Sequence, residues 1–129
     1  MEVDGSSPTG TTQSIANVTS WKFIFNDATD AHSRSIFASV ELPAHIASIE
    51  THDSVWVGST TLEKFPTMNP NRAEELLRKA GYTQPYEFVT LRQPNVSAPS
   101  PHPLFIFGPL GATGYVGVDT VNGKVAPII

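Results

Sequence analysis

The chain has 129 residues, 8 basic and 12 acidic for a net charge of −4, with 40% hydrophobic and 16% charged residues and no cysteine. That length fits one domain with a packed core rather than disorder. The lack of cysteine excludes a disulfide framework, a thiolate metal site and a thiol nucleophile, and the few scattered cations make no phosphate-tracking surface, which argues against nucleic acid.

Residues 1–14, MEVDGSSPTGTTQS, are rich in Ser, Thr, Gly and Asp and read as a flexible tail. Residues 15–129 are then the single domain. The start lacks the basic and apolar regions of a signal peptide, and no apolar run reaches the ~18 residues of a membrane span. A cytoplasmic protein with no membrane contact is expected, or a secreted one if a leader was removed.

SWKFIFND alternates Trp21, Phe23 and Phe25 against Lys22, Ile24 and Asn26, the period of a strand. SIFASVEL sets Ile36, Ala38, Val40 and Leu42 on one face and ends at Pro43. The two read as an antiparallel pair joined across NDATDAHS. AHIASIETHDS reads as an irregular connection or a short strand, and DSVWVGST, around Val55 and Val57, as a third strand.

NPNRAEELLRKAGY carries the one helix. Asn69 can cap it with Pro70 at its first position, or Asn71 can cap it with Glu74 closing a capping box. Ala73, Leu76, Leu77 and Ala80 form a single apolar stripe. Glu74–Arg78 and Glu75–Lys79 are acid-first i,i+4 pairs, and Gly81 suits a left-handed stop. YEFVTLRQ is another strand, PNVSAPSPHP a stiff proline-rich loop, LFIFG a buried strand and GPLGATG a glycine-rich loop. In the last sixteen residues, GYVGVDTVNGKVAPII, a strand over 115–121 leads to Asn122-Gly123, a two-residue type I′ hairpin signal. Pro127 then places the returning strand at a sheet edge.

One amphipathic helix with these strands predicts an α+β domain: one main helix packed across a curved antiparallel sheet. The run AEELLRKAGY…YEFVTLRQ…PLFIFG…GYVGVDTVNGKV, spanning residues 69–128, resembles a PepSY-type module, with Tyr115, Val118, Asp119, Asn122, Gly123, Lys124 and Val125 at the matching end. The resemblance implies a cystatin-like fold and a role in binding or inhibiting peptidases. Cystatin inhibitors insert a Gln-x-Val-x-Gly hairpin; the nearest segment here, Ser54-Val55-Trp56-Val57-Gly58, lacks the Gln and the central Val.

The richest polar cluster is HIASIETHD, with His45, Glu50, His52 and Asp53. Imidazole beside carboxylate suits acid–base work or a divalent metal, but the spacing fits no metal motif, and a solvated turn explains it as well. Trp56 and His102 join these four as candidate binding residues. The glycines of GPLGATG lack the Lys-Ser/Thr and the helix of a phosphate loop, and no serine sits in G-x-S-x-G. No catalytic residue, cofactor or metal is therefore expected. The leading reading is a non-enzymatic binding protein whose partner is another protein, a peptidase among them. Behind it stand a small cystatin-like enzyme using a His/Asp pocket, and a homodimeric or lectin-like protein pairing through the exposed SWKFIF strand.

Overall fold

The computed structural model describes residues 2–27, 34–43, 46–53, 62, 65–93 and 101–128. Eight strands form one antiparallel sheet in the order β4-β3-β2-β1-β5-β6-β7-β8. They are β1 (Glu2–Ser6), β2 (Ser20–Asp27), β3 (Arg34–Glu41), β4 (Ile46–His52), β5 (Phe88–Arg92), β6 (Leu104–Gly108), β7 (Tyr115–Asp119) and β8 (Val125–Ile128). The single α-helix, α1 (Pro70–Lys79), lies between β4 and β5 in the chain. No helix among the described residues is long and apolar enough to cross a membrane.

This corrects the expected helix-on-sheet, cystatin-like α+β architecture: the molecule is dominated by its sheet. The reason is one of dimensions. Eight strands at ~4.8 Å spacing span roughly 34 Å, whereas ten helical residues make a rod ~15 Å long and ~10 Å wide. Two strands account for the difference. The supposed tail supplies β1, which sits in mid-sheet, paired with β2 through Val3↔Phe23 and with β5 through Val3↔Leu91. Its polar letters misled because only alternate residues need be apolar: Val3 faces the core while Glu2 and Asp4 face the other way. The stretch left open between connection and strand supplies β4, paired along its length with β3. The strand expected around Val55 and Val57 lies outside the described residues.

Helix α1 begins as one of the two capping schemes requires. Asn69 accepts a 2.9 Å hydrogen bond from Arg72 N, with Pro70 at the first turn. Gly81, at φ +95°, ends it, with Tyr82 N donating to Leu77 O. Ala73 and Leu77 are fully buried beside β7 residues Val116 and Val118. Glu74 does not cap. Its Oε1 accepts from Tyr86 OH at 2.9 Å and its Oε2 from Ile15 N at 2.9 Å. Arg78 completes this tie by donating to the carbonyls of Gln13, Tyr82 and Gln84. Burial, and then the Glu74 hydrogen bond and charge, hold the Tyr86 phenol above its ordinary range.

The terminal hairpin forms, but not through a two-residue turn. Asp119 N donates to Lys124 O, leaving four residues in the loop. The buried Asp119 carboxylate sets its shape, since Oδ1 accepts from Val121 N and Asn122 N at 2.8 and 3.0 Å. Gly123 takes the left-handed conformation at φ +72°. A side chain that satisfies two backbone donors at once outweighs the local Asn-Gly preference.

Register gives the sheet two unlike faces. On the front, one cross-strand row reads Val125, Val118, Phe105, Leu91, Val3, Phe23, Ala38, Ile49 from β8 to β4. Every member is apolar. On the back, the corresponding row reads Ala126, Gly117, Ile106, Thr90, Asp4, Lys22, Ser39, Ser48. Back-face polarity has a cost at Asp4, whose carboxyl is raised above its ordinary 3.8, chiefly by burial and further by the Glu2 charge. The fold thus favours the neutral acid, so its contribution to stability is fullest below 3.8 and falls as pH rises through the folded value. Asp4→Asn is expected to abolish that fall, which denaturant unfolding at intervals from about pH 3 to about pH 6 would read.

Candidate functional site

Burial along the front row is graded. Val118, Phe105, Leu91 and Val3 are all at most 5% exposed, Phe23 and Ala38 are half-buried, and Ile49 is 78% exposed. Core covers the β7–β8 end of this face; over β1–β3 and the adjoining Leu91 and Phe105 of β5 and β6, the described residues leave a groove of about 450 Å³. Its floor is Val3, Trp21, Phe23, Val40, Leu91 and Phe105, drawn from five strands, and its wall is the segment Phe65–Pro70 that leads into α1. Leu42 stands at the β3 end.

Each wall is fixed locally. Trp21 lies flat across β1 because residue 5 is glycine: a Cβ there would meet Trp21 Cζ3 and Val18 Cγ1 at 2.7 Å. The indole N–H is already satisfied, donating to Val18 O at 3.1 Å, so the ring offers the groove an apolar surface alone. Pro66 and Pro70 stiffen the facing segment, and the Asn69 side chain is committed to its cap. No charged residue is among the described residues lining the groove. An apolar concavity of this volume suits a small ligand, and apolar lining of this kind disfavours burying a charge.

The residues singled out from sequence lie elsewhere and do not come together. His45 and Trp56 are outside the described residues. Glu50 and His52 share the back face of β4, with His52 Nε2 3.4 Å from Glu50 Oε1 and the His52 ring 4.5 Å from that of Phe37. Asp53 follows, exposed, at the strand end. His102 lies far across the sheet, just before β6, where its Nδ1 is 2.9 Å from Asp119 Oδ2. Among the described residues no three His, Asp or Glu side chains are grouped to hold a metal ion.

Sequence reasoning does not single out the groove, because aromatic residues at strand spacing look like ordinary core. A usable signal was present, though. Trp21, Phe23 and Phe25 alternate on one strand and Ile36, Ala38 and Val40 on the next, more apolar strand face than one short helix can cover. The chain matches no family model, no curated protein and no solved structure.

Proposed function

We propose that the protein is a non-enzymatic binding protein that takes a small, uncharged apolar ligand in the front-face groove. The observation that carries this reading is the groove's make-up: Trp21, Phe23, Val40 and Phe105 around a 450 Å³ concavity with no charged side chain among the described residues that line it. Burial of apolar surface is the driving force such a site offers, at about 0.8 kcal/mol per methylene.

The His/Asp enzyme reading draws no support from the described part of residues 45–53, where Glu50 and Asp53 are exposed and His52 lies against Phe37. The peptidase-binding role that the resemblance implies draws on no feature of the described surface, and the groove favours a small ligand over it.

The chain has two tryptophans, so Trp56→Phe leaves Trp21 as the reporter. Titration of that variant with a homologous series of straight-chain alcohols is expected to change Trp21 emission saturably. Affinity should rise about fourfold per added methylene until the groove is filled. Emission that stays unchanged, or that drifts linearly with every alcohol, would refute the reading.

A further inference from the structure

β2 lies between β1 and β3, so its aromatic segment SWKFIF is no pairing edge. Two of its rings, Trp21 and Phe23, line the front-face groove instead. Aromatic residues are 9% of the chain, yet four of the thirteen described residues around the groove are aromatic: Trp21, Phe23, Phe65 and Phe105. The Met68 thioether joins them. The rings come from both sides, three from strands of the floor and Phe65 from the wall. Exclusion of water alone would be served as well by Leu, Ile or Val.

Trp21 owes its place to a missing side chain. Its six-membered ring rests on Gly5, where a Cβ would lie 2.7 and 2.8 Å from Cζ3 and Cε3, closer than real Cβ atoms come. Gly5 is not among the glycines with positive φ, so the backbone does not require glycine there, and a glycine inside a strand weakens it. What the position accommodates is the indole. With its N–H satisfied by Val18 O, that indole offers the groove ring surface and no unmet hydrogen bond.

We propose that the occupant of the groove is a planar aromatic compound of about two fused rings, stacked against Trp21, with Gly5 setting this specificity by fixing the height of the indole. The inference rests on the small-ligand reading above and narrows it to one ligand class. The complementarity is one of charge distribution. Aromatic rings are negative on their faces and positive at their edges, so they attract in offset or edge-on arrangements beyond what area supplies. A thioether is drawn to rings as well. A rigid ring also loses less freedom on entry than a flexible chain does. Gly5→Ala would push the indole off the sheet and into the groove, because the β1 backbone lies beneath it and Val18 Cγ1 already stands 2.7 Å from the same Cβ.

Calorimetric titration with 2-naphthalenemethanol and its decahydro analogue compares one carbon skeleton and one hydroxyl with and without the aromatic rings. The unmodified chain is expected to bind the aromatic compound about two- to twelvefold more tightly. Trp21→Leu, which keeps the floor apolar, should still bind the saturated compound and lose the preference. Gly5→Ala should weaken the aromatic compound at least fivefold. Equal or tighter binding of the saturated compound by the unmodified chain, or a preference that survives Trp21→Leu, would overturn the ring inference and leave the small-ligand reading standing. Binding of neither compound would refute both. A Gly5→Ala chain that binds the aromatic compound as the parent does would remove Gly5 from the site; if that variant does not fold, Trp21→Leu decides the matter.

Discussion

Phe107→Ala is expected to lower the free energy of unfolding by about 3–5 kcal/mol, the range for removing a large buried aromatic side chain. Phe107 is fully buried on β6, opposite Val89 on β5 and Val116 on β7, both also fully buried. Its ring meets the edge of Tyr86 at a centroid distance of 5.1 Å and an angle of 74°, a favourable geometry worth about 0.5–1.5 kcal/mol beyond area. Tyr86 is itself tied to Glu74 on α1, so the cavity would lie between the helix and the strands beneath it. Phe65→Ala is the matching control. Phe65 is 54% exposed at the groove wall, and its loss should cost well under 1 kcal/mol. Denaturant midpoints for both variants, with the slope checked for constancy, measure the contrast.

Val40→Glu is expected to weaken apolar-ligand binding by at least about thirtyfold, roughly 2 kcal/mol, because a carboxylate facing bound hydrocarbon must be either desolvated or protonated. Val40 is half-buried on β3, beside Trp21 in the register and in the groove floor. Its partial exposure lets the unliganded protein hydrate a new carboxylate, so folding should suffer less than binding does. Val40→Ile, which keeps the floor apolar, should stay within about threefold of the parent. Trp21 emission titrations on the two variants would separate loss of the groove's chemistry from loss of the fold.

Most individual elements were legible in the sequence. The helix was plain because capping residue, stripe and terminal glycine agree over residues 69–81, and β2 and β3 because apolar residues recur at every second position along each. What failed was the assembly. β1 hides in a polar segment whose small residues serve a purpose invisible in one dimension: Gly5 is there so that Trp21 can cross above it. The turn at Asn122-Gly123 was read from local preference, yet it is shaped by a buried carboxylate three residues earlier. The groove depends on which strands lie beside which, and Phe105 reaches its floor from more than eighty residues beyond Trp21. Conspicuous polar letters drew attention to His45–Asp53, whereas the groove is built from residues that look like ordinary core.

The most direct measurement is a backbone amide spectrum of the isotopically labelled protein, recorded with and without a saturating straight-chain alcohol. The account predicts shifts confined to the groove's front-face positions, Val3, Trp21, Phe23, Val40, Leu91 and Phe105, and to residues 65–70, with the back-face positions Lys22, Ser39 and Thr90 responding only through the shared backbone and far less. Shifts centred on the back face, or spread evenly over the sheet, would contradict it.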